Sequence, residues 1–135
     1  MKWFASGICL ILVGTGIAGC FQSVEGSDFN GIEYRDPVSA PDFTLTDQHG
    51  ETVTLSDFKG EVVVLAFIYT SCPDVCLIIS SNLQWMKMNL DPTIEEEVVF
   101  LSVTLDPARD TVDRFSRWTD SVGYEWQHLT SSDVD

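Results

Sequence analysis

Val62-Val63-Val64-Leu65-Ala66-Phe67-Ile68-Tyr69-Thr70-Ser71-Cys72-Pro73-Asp74-Val75-Cys76 is the stretch on which the fold turns. Its first eight residues are almost continuously apolar, which predicts a strand from Val62 to Tyr69 buried on both faces, and such strands belong to parallel sheets. Proline favours the first helical position, and beyond Pro73 the residues Ile79, Leu83, Met86 and Leu90 recur at helical spacing. An amphipathic helix ending near Asp91-Pro92 follows. A strand that hands over to a helix here puts Cys72 beyond the carboxyl end of the strand, where reactive groups of open α/β sheets collect.

On the N-terminal side, Phe43 and Leu45 alternate with polar neighbours, Asp47-Gln48-His49-Gly50 has turn chemistry, and Val53 and Leu55 resume the alternation. This is a β-hairpin, and Leu55 to Gly60 reads as a single capped turn after it. On the C-terminal side, Val98 to Leu105 is a second apolar strand. Val112, Phe115, Thr119 and Val122 mark a second amphipathic helix stopped at Gly123, and Trp126 to Leu129 begins a third strand. The expected fold is α/β, a hairpin followed by β-α-β-α, with a parallel sheet, right-handed crossovers and one open sheet edge.

Length and composition bound the function. A chain of 135 residues with 44% hydrophobic content supports one globular domain. Its formal charge of -14 repels a phosphate backbone over most of the surface, so nucleic acid is excluded as a partner class. No phosphate loop, paired catalytic carboxylates or serine triad is present.

Lys2 precedes an uncharged, apolar or small run from Trp3 to Gly19, the layout of a secretory signal. The run closes on Ile17-Ala18-Gly19-Cys20, which resembles the lipobox of bacterial and some archaeal lipoproteins, where cleavage leaves an acylated cysteine first. The expected organisation is therefore a lipoprotein signal peptide over 1–19, a lipid anchor on Cys20, a flexible tether over 20–40 and a domain over 41–135. An uncleaved membrane anchor is the other reading. Either places the domain on the extracytoplasmic side of the cell membrane.

With Cys9 in the leader and Cys20 at the anchor, the folded part keeps Cys72 and Cys76. An extracytoplasmic pair this close is redox-active, metal-binding or a small disulfide. Facing the N–H groups and positive dipole end of the helix, Cys72 is expected to be the more acidic thiol, with Cys76 a full turn inside. Two thiolates on one helix face make a soft chelating site suited to Cu(I) or Zn.

Four segments carry a family likeness: Ala40-Pro41-Asp42-Phe43-Thr44-Leu45, Leu55-Ser56-Asp57-Phe58-Lys59-Gly60, Cys72-Pro73-Asp74-Val75-Cys76 and Leu105-Asp106-Pro107-Ala108-Arg109-Asp110-Thr111. The first two are shared with peroxiredoxins and related thioredoxin-like proteins. All four together resemble the Sco/SenC family, over residues 40 to about 132. The resemblance implies a thioredoxin-like fold that binds copper through two cysteines, here Cys72 and Cys76, and one histidine. It also implies assembly of the dinuclear copper site of cytochrome c oxidase, so the partner would be the copper-carrying oxidase subunit. Family members act there as copper donors, as thiol reductants, or both.

Two departures stand out. Leu77 occupies the place where the family has proline after the second cysteine. The family histidine follows a valine-aspartate pair in a later segment, and the chain is expected to be truncated before it. The usual C-terminal strands and helix would then be lacking, copper binding weakened, and part of the apolar sheet face left open. His49 and His128 read as surface or turn histidines rather than substitutes. Asp74, Asp106, Arg109 and Asp110 match family positions but are explained by helix capping and surface ion pairing. Trp85, Met86 and Met88 read as core packing rather than thioether ligands, and Glu95-Glu96-Glu97 as a solvated loop. The leading reading is a copper-binding assembly factor rather than an enzyme. The alternative is a thiol-disulfide oxidoreductase with Cys72 as nucleophile and Cys76 as resolving thiol. Tyr69, where a peroxiredoxin would have threonine, counts against that third class.

Overall fold

Residues 31–131 are described by the computed structural model. The chain divides into two units, Met1–Pro37 and Val38–Asp135. The expected leader over 1–19, Cys20 and the first half of the tether lie outside the described residues. From 31 to 43 no helix or strand forms.

The hairpin is as expected. Strand β1 (Thr44–Thr46) pairs antiparallel with β2 (Thr52–Thr54), Leu45 opposite Val53. The turn between them is built on Asp47, whose side chain accepts from the N–H groups of His49 (2.8 Å) and Glu51 (2.9 Å). A 3-10 turn over Leu55–Phe58 follows. It is fixed from a distance, because the Asp42 carboxylate accepts the Ser56 N–H at 2.9 Å.

Strands β3 (Val62–Ile68), β4 (Val98–Thr104) and β5 (Gln127–Leu129) form a parallel sheet in that order, with Val62 opposite Val98 and Ser102 opposite His128. Between them run α1 (Val75–Met88) and α2 (Val112–Val122). The hairpin is tied to β5 by two backbone bonds between Thr46 and Thr130, of 3.0 and 2.8 Å. Gln48 adds to the tie: its amide donates to the Trp126 carbonyl (3.0 Å) and its oxygen accepts the His128 N–H (2.7 Å).

The sheet separates two cores. On one face Ala66, Ile68, Phe100 and Trp126 pack with Cys76 and Leu83 of α1 and Phe115 of α2. On the other, Leu101 and Leu129 pack with Val53 of the hairpin, joined by Val63, Val99 and Val103. Strand alternation makes this division, since neighbours along a strand point to opposite faces.

The apolar run in β3 misled on one point. Val64, Ala66 and Ile68 are covered, but Val62, Leu65 and Phe67 are exposed, Phe67 by 54%. The strand buried on both faces is β4, where Phe100, Leu101, Ser102 and Thr104 are all buried. Position in the sheet decides this. β4 is central, whereas β3 is an edge strand. The expected open edge and partly bare apolar face are therefore seen, among the described residues, at β3.

Helix α1 starts at Val75, two residues later than Pro73 suggests, so Cys72 is outside the helix and Cys76 is in its first turn. Its inward stripe is Cys76, Ser80 and Leu83, with Ile79 beside it. Met86, Trp85 and Met88 are not core: all three are exposed, Trp85 by 67% and Met88 by 73%. Among the described residues no helix is long and apolar enough to cross a membrane.

Candidate metal and redox centre

Tyr69 to Asp74 links the end of β3 to the start of α1. Tyr69 and Cys72 pack against the core, while Ser71, Pro73 and Asp74 are exposed. One turn bond closes it, from the Cys72 N–H to the Tyr69 carbonyl at 3.2 Å. Asp74 takes the N-cap position of α1, yet its side chain makes no capping bond. The sulfur of Cys72 substitutes, accepting the Cys76 N–H at 3.3 Å. A helix N-terminus leaves such N–H groups without backbone partners, and a thiolate satisfies one well.

Both cysteines are free, Cys72 half-buried and Cys76 buried. Their acidities split as the sequence suggested. A hydrogen bond from the Cys76 side chain lowers the Cys72 pKa to about 7, against some opposing desolvation. The backbone N–H groups of Asp74 and Cys76 and the Tyr69 hydroxyl add to the lowering. Cys76 moves the other way, raised first by burial and then by acting as the partner of Cys72. Tyr69 is raised too, because its hydroxyl is engaged by Cys72. A half-buried, acidified thiol thus sits against a buried, less acidic one.

The two histidines lie apart from this pair. His49 is exposed in the hairpin turn, as expected. His128 is not a surface residue: it is fully buried in β5, stacked on Trp126 with Trp118 edge-on. Its Nδ1 donates to the Trp126 carbonyl at 2.8 Å, which leaves Nε2 as an acceptor with no partner. Burial lowers its pKa to about 4, so the ring is neutral at ordinary pH. Among the described residues no group of three or more His, Cys, Asp or Glu side chains is placed to hold a metal ion.

Of the acidic positions, Asp106 does pair with Arg109 at 3.1 Å, with the arginine largely exposed. Asp110 is different. Surface ion pairing does not describe it, for it is 1% exposed. It accepts hydrogen bonds from the Thr70 N–H (2.9 Å), the Thr70 hydroxyl and the Thr104 hydroxyl (2.7 Å). Sequence reading missed this role, as it missed the Tyr69 hydroxyl. An acidic residue just before a helix is ambiguous until the strand ends it faces are known.

What the fold and this junction define is a thioredoxin-like protein with a dithiol at the carboxyl end of its first sheet strand. The SCO1/SenC family model matches residues 33–134, and the chain belongs to that family. Among curated proteins it is 37% identical over 134 residues to a mitochondrial SCO2 homolog of Danio rerio, covering 93% of this chain and 48% of the relative. It is 29% identical over 133 residues to the mitochondrial SCO2 homolog of Bos taurus, covering 90% of this chain and 48% of that protein. The chain therefore spans about half the length of these relatives. Among solved structures, copper-bound ScoI of Bradyrhizobium japonicum matches with TM-score 0.62 and 28% identity, over 68% of this chain and 58% of that one. Apo Sco1 of Thermus thermophilus matches with TM-score 0.59 and 34% identity, over 67% and 52%.

Proposed function

We propose that this chain handles copper through Cys72 and Cys76, as cargo rather than as a resident cofactor. The recipient would be the dinuclear copper site of cytochrome c oxidase, to which it delivers copper or whose thiols it reduces. The observation that carries this reading is the joining of an acidified, half-exposed thiol to a buried one at a strand-to-helix junction. Such a pair offers two soft donors to Cu(I). Further ligands would come from outside the described residues or from the recipient. The relatives support the assignment: a protein of Stutzerimonas stutzeri is named as copper-binding. The solved BsSco is described as a member of the Sco family of cytochrome c oxidase assembly proteins.

Competitive Cu(I) titration of the reduced chain tests it. One Cu(I) per chain is expected, abolished by Cys72→Ser and by Cys76→Ser. Wild-type binding no tighter than that of the double variant would sink the reading.

The acidity split favours a second reading, a thiol-disulfide oxidoreductase. Cys72 thiolate attacks a partner disulfide and releases one partner thiolate. Cys76 then attacks the mixed disulfide, so that this chain ends as a disulfide and the partner as two thiols. Rapid reduction of a model disulfide, without Cu(I) retention, would favour it over the first.

For location we infer a lipid anchor on Cys20 at the extracytoplasmic face of the cell membrane. The leader pattern supports it, and a Bacillus anthracis SCO1/SenC family member of solved structure is described as a lipoprotein. N-terminal mass spectrometry should find an acylated Cys20, and Cys20→Ala should release the protein. An unmodified chain beginning at Met1 would leave the uncleaved anchor.

A further inference from the structure

The thiol loop packs on the core only through Tyr69 and Cys72, and one buried carboxylate holds it from behind. Asp110 receives the Thr70 N–H and hydroxyl from the end of β3 and the Thr104 hydroxyl from the end of β4. The Thr104 oxygen in turn accepts the Asp106 N–H at 2.9 Å. From α2, Arg114 lies 3.5 Å from the carboxylate and donates to the Thr70 hydroxyl (2.6 Å) and the Ser71 hydroxyl (2.9 Å). Three chain segments thus converge on one carboxyl group, and one of its partners, Thr70, stands two residues before Cys72.

We propose that Asp110 and Arg114 are positioning residues that set the placement of the Cys72 sulfur relative to Cys76. The physical reason is the cost of release. If Thr70 swings away, a nearly fully buried carboxylate loses two of its donors, and an under-satisfied buried polar group is expensive. The loop is therefore held in the one arrangement that keeps Cys72 against the first turn of α1. The proposal rests on Cys72 and Cys76 being the working pair, but not on copper being what they bind.

Its test uses relative alkylation rates of Cys72 and Cys76, read by mass spectrometry at several pH values on the reduced, full chain. Asp110→Asn removes one acceptor and tests the anchor directly. Arg114→Gln and Thr70→Val change half-exposed or isosteric positions and serve if Asp110→Asn fails to fold. Val53→Ala, in the opposite core, controls for general destabilisation. Each network variant should change the Cys72-to-Cys76 rate ratio by about threefold or more and shift the Cys72 pH profile, while Val53→Ala leaves both unchanged. Folded network variants with wild-type ratios and profiles would overturn the proposal, as would an equal change in Val53→Ala. Because alkylation needs no metal, failure here is separable from failure of the wild-type Cu(I) titration.

Discussion

Helices α1 and α2 pack into the same core cluster, yet they are finished differently. Helix α2 is closed at both ends. The Thr111 hydroxyl accepts the Arg114 N–H, and Gly123, at φ 72°, lets its own N–H and that of Tyr124 reach the Thr119 carbonyl. Its inner face is Phe115 and Thr119, and Asp113, Arg117 and Asp120 face water. Helix α1 has no side-chain cap at its N-terminus, gives a first-turn N–H to a sulfur, and leaves Val75, Leu77, Ile78, Trp85 and Met88 exposed. The contrast separates a helix that holds the fold from one whose N-terminus serves chemistry.

If that division is right, the largest loss should come from α2. Phe115→Ala empties a fully buried site in the centre of the cluster and should cost about 3–5 kcal/mol in denaturant unfolding, against about 2–3 for Leu83→Ala in α1. A larger loss at Leu83 would break the comparison.

The α2 side also keeps His128 dry, and this makes a pH signature. Its folded pKa, about 4, lies below the ordinary histidine value of 6.5, so the unfolded chain takes up the proton first as pH falls. Stability should therefore be full above about pH 6.5 and fall by up to about 3 kcal/mol as pH drops to about 4. Asp42 and Asp91 are lowered below their usual value of 3.8, so their contribution is lost only in more acid solution. His128→Phe keeps the aromatic packing, and the Trp126 carbonyl keeps Gln48 as its donor. Urea midpoints between pH 7 and 4 should slope for wild type and flatten for the variant.

The two caps give a smaller contrast. Thr111→Ala should cost about 1 kcal/mol, whereas Asp74→Ala, with no capping bond to lose, should stay within about 0.5 kcal/mol. Equal losses at both would mean that Asp74 caps α1 in solution.

Much of this was legible in the sequence. The hairpin, the strand-helix alternation, the end of α2 at Gly123 and the acidity order of Cys72 and Cys76 follow from local patterns, because turn chemistry and periodicity are local. What was not legible depended on partners far along the chain. Exposure of Phe67 follows from β3 lying at an edge, a property of strand order that no window of residues contains. Burial of His128 comes from β5 sliding in beside β4 beneath Phe115 and Trp118. The role of Asp110 needed Thr70, forty residues earlier, to be brought to its carboxylate. Trp85 and Met88 misled because an apolar side chain signals burial only when something covers it.

That last point carries the smallest effect and the sharpest use of the comparison. Trp85, 67% exposed, buries little area for its size, so replacing it removes few contacts and opens no cavity. Trp85→Ser should change stability by no more than about 0.5 kcal/mol, and Met88→Ser likewise. Their effect should fall instead on association. The exposed apolar residues Val75, Leu77, Ile78, Trp85, Met86 and Met88 of α1, on a chain of charge -14, are where copies would meet once charge repulsion is screened by salt. Sedimentation in high salt should show less self-association for Trp85→Ser/Met88→Ser than for wild type, with the unfolding midpoint unmoved. A loss above about 1.5 kcal/mol would instead show that Trp85 packs inward, and α1 would then differ from α2 only at its N-terminus.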